Sequence, residues 1–109
     1  MANLRKLTVQ EAVNTDSAAT WTRGTLSVSA TESYVDVSNY HTIHMQPSVE
    51  GMYFVFTTST ADAIDTGTDL YLPGGDIIYS LKIPRGLGDT IYFHVERKTD
   101  SFTLNYVLG

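Results

Sequence analysis

Three histidines and a run of aspartates are the side chains of this 109-residue chain best equipped for chemistry. In HTIH, His41 and His44 stand three apart, a spacing that shares one face of a helix but falls on opposite faces of a strand. On a strand the two rings cannot close on one zinc ion, and His94 belongs to another segment. Asp62, Asp65 and Asp69 in DAIDTGTD offer oxygen ligands around Gly67, as a calcium loop would. Their spacing is not the alternating acidic pattern of an EF-hand, and carboxylates scattered along a solvated loop are ordinary.

Other reactive arrangements are missing. The chain has no cysteine, which excludes disulfides, thiol nucleophiles and thiolate metal sites and suits a reducing compartment. No GxSxG elbow occurs among the many serines and threonines. A carboxylate pair for glycoside hydrolysis can be picked from any 12 acidic residues, so such a choice has no weight. The glycine-bearing turns lack the pattern and the following helix that a phosphate cradle requires. The reading is a non-enzymatic protein with no catalytic residue, no cofactor and no metal.

The elements that would hold these residues read as strands. Alternation of apolar and polar residues predicts strands near 25–30, 33–38, 41–46, 51–58, 69–72, 76–83, 89–97 and 102–108. About eight short strands imply an all-β fold, an antiparallel β-sandwich of jelly-roll-like type. Period two places Leu26, Val28, Val35, Val37, Ile43, Met45, Leu70, Leu72, Ile77, Tyr79, Leu81, Ile83, Ile91, Phe93, Val95, Phe102, Leu104, Tyr106 and Leu108 inward. Tyr92, His94 and Glu96 then point outward. MYFVF at 52–56 is apolar on both faces, the mark of a central strand whose second face is covered by a loop or another subunit.

LPGGD at 72–76 predicts a tight hairpin, PRGLGD at 84–89 a second reversal and ERKTDS at 96–101 a third, polar connection. STADAIDTGTD at 59–69 is an exposed excursion of the length that carries contacts. The domain division is an N-terminal arm or edge strand and loop at 1–24, followed by the sandwich at 25–109.

With 12 acidic residues against 7 basic, the net charge of −5 opposes nucleic acid, whose binding depends on Lys and Arg replacing phosphate counterions. No apolar stretch is long enough for a signal peptide or a membrane-spanning helix. Seven Tyr, four Phe and one Trp exceed the needs of a small core. Tyr34, Tyr40, Tyr71 and Tyr92 fall on polar-phase or turn positions, where an apolar ring with a polar tip suits protein interfaces or sugar platforms.

The succession LYLPGGDIIYSLKIPRGLGDTIYFHV, within a grammar running over roughly residues 25–109, resembles small β-sandwich structural proteins of tailed-bacteriophage virions, most of all head decoration (cement) proteins. The resemblance implies a protein made in the host bacterial cytoplasm that binds the major capsid protein on the outer capsid surface. There it would form a homo-oligomer, a trimer for preference, and stabilise the shell by multivalent contact. The contacts expected on that reading are Leu4, Leu7 and Val9 of the arm, Trp21, Tyr34, Tyr40, Tyr71 and, at the rim, Arg85. The alternatives are a carbohydrate-binding module using Trp21 or the tyrosines, and a phage tail or connector subunit.

Overall fold

The computed structural model describes residues 22–109. Eight strands follow one another: β1 Thr22–Val28, β2 Ser33–Asp36, β3 Thr42–Met45, β4 Met52–Thr57, β5 Tyr71–Leu72, β6 Tyr79–Lys82, β7 Tyr92–Arg97 and β8 Phe102–Leu108. Each expected strand is present, although β1 begins earlier and β5 and β6 are shorter than alternation alone suggests. The one helical turn among the described residues is a 3₁₀ turn at Arg85–Leu87, where Pro84 leads out of β6 and a glycine follows on either side of Leu87. No helix among the described residues is long and apolar enough to cross a membrane.

The strands form two antiparallel four-stranded sheets, β1-β8-β3-β6 and β2-β7-β4-β5. Every connection switches sheets except β4 to β5, whose strands pair directly through Met52↔Leu72 and Tyr53↔Tyr71. This corrects the hairpin expected at LPGGD, because β5 and β6 lie in different sheets and residues 73–78 cross between them. The Pro-Gly-Gly chemistry is that of a sharp change of direction, and it operates equally where a chain passes from one layer to the other. PRGLGD and ERKTDS are crossovers for the same reason.

Side chains from both sheets meet in one buried cluster, giving a sandwich-like arrangement. Val28, Ile43, Met45, Leu104 and Leu108 come from the first sheet, and Met52, Leu72, Phe93 and Val95 from the second. Val37, Ile83 and Ile91, just beyond strand ends, complete it. Each fully buried side chain of this size contributes roughly 1.5–3 kcal/mol by leaving water. Leu26, Val35, Tyr79, Leu81, Phe102 and Tyr106 are half-buried against the cluster, as period two requires. Strand β4 is internal, paired to β7 on one side and β5 on the other; Phe54 and Phe56 pack on the core.

Two expected core residues lie outside it. Leu70 is 78% exposed and Ile77 50% exposed. Both sit beyond the ends of the short strands β5 and β6, where the alternation no longer follows a pleated backbone. His94 departs in the opposite direction and is wholly buried. Its side chain projects from the outer face of the second sheet, and the connection between β4 and β5 covers it.

Candidate functional site

That outer face carries the most constrained polar arrangement in the described residues. Strand β7 brings His94 between Tyr34 of β2 and Val55 of β4. The Nδ1 atom lies 2.6 Å from Oε2 of Glu32, whose side chain is only 3% exposed. Glu32 also accepts the backbone N–H groups of Ala63 (2.8 Å) and Ile64 (2.9 Å). The same carboxylate thus grips both the imidazole and the long connection passing over it. On the other side of the ring, Nε2 lies 2.8 Å from both Thr57 Oγ1 and the Ser59 carbonyl.

The Tyr34 ring stands 5.6 Å from the imidazole and 5.5 Å, edge to face, from Tyr92. Burial, together with the neighbouring Glu32 and Asp62 carboxylates, raises the Glu96 carboxyl above its ordinary value. Farther along the connection, Asp69 Oδ2 accepts the Asp65 N–H at 2.9 Å and Asp65 Oδ1 accepts the Gly67 N–H at 2.9 Å. The Gly67 bond, with further hydrogen bonds from Thr68, holds Asp65 below the usual carboxylate range.

A second surface is a shallow groove of about 810 Å³ on the first sheet. Register aligns Arg23, Val107, His44 and Ser80 in one row across all four strands. Thr25 and Asn105 form part of the next row, with Gln46 and Ile78 also lining the groove. His44 Nδ1 and Ser80 Oγ are 2.8 Å apart, and burial lowers the tendency of His44 to take up a proton. His41 precedes β3 and is exposed, whereas His44 lies within that strand.

The residues expected at an interface divide. Leu4, Leu7, Val9 and Trp21 lie outside the described residues. Tyr34 and Tyr71 are each 45% exposed, as their polar-phase positions require. The Tyr71 ring meets Tyr53 at 5.8 Å and carries Lys98 Nζ 4.5 Å from its centroid. Tyr40 is half-buried: it packs against the core while its hydroxyl lies 2.8 Å from Thr22 Oγ1.

Arg85 has internal work as well. Its guanidinium donates to the carbonyls of Ser38 and Tyr40, tying the crossover after β6 to the turn between β2 and β3. Ser38 is itself held by Asp36, which accepts both its N–H (2.9 Å) and its hydroxyl (2.5 Å). Arg85→Ala is therefore expected to lower stability by about 1 kcal/mol, an exposed charge-assisted bond being worth less than a buried one. Urea denaturation checks this; an unchanged midpoint would count against the tie.

Sequence reasoning passed over Glu32 and the groove residues Arg23, Asn105 and Val107. The groove was detectable by following the outward phase of β1 and β8. Glu32 had no local signal, because its partners come from β7 and from the distant connection. Comparison with protein-family models, curated proteins and solved structures finds no match to this chain.

Proposed function

We propose that this protein is a non-enzymatic structural component of a tailed-phage virion, a decoration protein that binds the outer capsid surface as a homotrimer and bridges neighbouring major capsid proteins. The strand order supports the jelly-roll element of this reading. Strands pair β1 with β8, β2 with β7, β3 with β6 and β4 with β5, as a long hairpin does when it rolls up into two layers. Three of the four edge strands, β2, β5 and β6, are short, and short edge strands resist uncontrolled strand addition.

The observation that carries the adhesive role is the display of Leu70, Tyr71, Ile77 and Ile78 around the β5–β6 crossover, all exposed despite their apolar bulk. Side chains of this kind gain by leaving water against a partner. The backbone beneath them is fixed: Gly75 N–H bonds to the Pro47 carbonyl, Gln46 Nε2 to the Gly75 carbonyl and Tyr79 Oη to the Pro73 carbonyl. Repetition across a lattice turns a modest contact at each site into firm attachment.

Co-sedimentation with purified capsids tests the proposal. The double substitution Leu70→Ser with Ile78→Ser is expected to lower occupancy about tenfold at limiting protein while leaving the melting temperature almost unchanged. Undiminished occupancy, or absence of the natural chain from capsids, would overturn it. The groove on the first sheet supports the saccharide-binding alternative, because Arg23, Thr25, Gln46 and Asn105 offer hydrogen-bonding groups beside Val107 and Ile78. Glycan binding abolished by Asn105→Ala, without capsid attachment, would decide for that reading.

A further inference from the structure

Among the described residues, β1 is the one sheet edge that nothing shortens or breaks. It pairs with β8 through seven consecutive residues, Thr22↔Leu108 to Val28↔Phe102, and its other side pairs with no described strand. The remaining edges are β2 and β6, of four residues each, and β5, of two. Edge strands are usually protected by brevity, proline, a bulge or charge, because a row of unpaired N–H and C=O groups is a template for another strand. The β1 sequence TRGTLSV has no proline, keeps an uninterrupted register and carries one charged side chain, Arg23.

We propose that β1 is a strand-addition surface for a second copy of this chain, the two β1 strands pairing antiparallel about a twofold axis through Thr25, normal to the sheet. Phase and length select that register. Arg23, Thr25 and Ser27 are exposed, whereas Gly24, Leu26 and Val28 are half-buried or buried, so a slip of one residue would set inward side chains opposite outward ones. Among the registers that keep phase, centring on Thr25 alone engages all seven residues, with Thr22 opposite Val28, Arg23 opposite Ser27 and Gly24 opposite Leu26. Arg23 is thereby kept from facing its own copy, as a pairing centred on it would require. Half-buried Leu26 comes to stand beside Gly24 of the other copy, over which the Tyr106 ring lies, and gains cover there. Charge permits the join as well. None of β1, β3, β6 and β8 contains Asp or Glu, although the whole chain has 12 acidic residues against 7 basic. The first sheets can therefore meet edge to edge without bringing carboxylates together. Because β6 lies at the opposite edge of the same sheet, the contact leaves the β5–β6 crossover uncovered, and it does not depend on the capsid reading.

Cross-linking and amide exchange on the full-length chain test the pairing. The chain has no cysteine, so Thr25→Cys places a single thiol on the proposed axis. On mild oxidation this variant is expected to form a covalent dimer at least about tenfold faster than Thr103→Cys, whose residue is also exposed on the same face but lies on β8, inside the sheet. In the natural chain at about 100 μM, the β1 amides that point away from β8 should exchange about tenfold or more slowly than in Thr25→Lys, which sets like charges opposite each other on the axis. Thr25 is exposed, so that substitution should leave the melting temperature of dilute protein almost unchanged. Equal cross-linking at positions 25 and 103 would overturn the proposal. So would outward β1 amides that stay unprotected at about 100 μM, or that are protected in a chain sedimenting as a monomer, whose edge is then covered from within. If a substituted chain fails to fold, exchange and sedimentation of the natural chain decide alone.

Discussion

Phe93→Ala is expected to cost about 3–5 kcal/mol of unfolding free energy, the range for deleting a buried aromatic ring. Phe93 is fully buried near the start of β7, the strand flanked by β2 and β4. Register sets it opposite Val35 on one side and Phe56 on the other. Its ring centroid lies 4.9 Å from that of Phe56 and 6.2 Å from that of Phe54, so deletion removes aromatic contacts from two neighbours at once. The strands cannot close the gap, because β7 is hydrogen-bonded on both sides and a shift toward the core would break one ladder. A domain of this size commonly has only about 5–15 kcal/mol to lose, so the variant should unfold at far lower urea concentration than the natural chain. Phe93→Leu keeps most of the volume and should lose about half as much or less. Equal midpoints for Phe93→Ala and the natural chain would refute the placement of this residue at the centre of the core.

The centrality of Phe93 was legible because β7 is long and alternates cleanly, with Ile91, Phe93 and Val95 all facing the same way. The same rule located Ile43 and Met45 on β3 and Leu104 and Leu108 on β8. It failed where a strand is too short to impose a period. Extending β5 and β6 past their ends places Leu70 and Ile77 inward, but Leu70 belongs to the β4–β5 connection and Ile77 to the β5–β6 crossover, and both are exposed. Turn chemistry has a comparable blind spot. A Pro-Gly-Gly run says that the backbone changes direction but not whether the next strand joins the same sheet, which is decided by long-range pairing of β6 with β3.

His94 shows why the polar site was harder to read than the core. Its outward phase was correct, yet outward does not mean exposed once a loop lies across the face. The residue that fixes that loop, Glu32, is an unremarkable acid in a turn until the pairing of β2 with β7 brings it to the imidazole. The resulting contact joins the turn after β1, strand β7 and the β4–β5 connection, three parts of the chain with no common local pattern. Exposed apolar residues are no easier to see, since the same Leu or Ile letter serves core and surface alike.

Gly74→Ala is expected to be as damaging as loss of the Phe93 ring, through excess rather than missing volume. A Cβ built on Gly74 would fall 1.0 Å from the Ser48 carbonyl oxygen and 2.0 Å from its carbon. Both obstacles are backbone atoms, so no side-chain rotation relieves the overlap. The Ser48 carbonyl is also committed, accepting the Gly51 N–H at 3.0 Å in the turn that joins β3 to β4. Gly51 holds that turn with a positive φ of 73°, and fully buried Pro47 anchors its entry. Accommodating one methyl therefore requires the β5–β6 crossover to lift from the β3–β4 turn, breaking the Gly75 N–H bond to Pro47 and the Gln46 bond to Gly75. Overpacking ordinarily costs about 1–3 kcal/mol, and a clash with fixed backbone belongs above that range. Gly24→Ala provides the contrast: its nearest obstacle is the Tyr106 ring, with the hydroxyl at 2.3 Å, and a side chain can rotate away. Thermal and urea unfolding should rank Gly74→Ala well below Gly24→Ala, and the reverse order would mean that the crossover does not rest on Ser48.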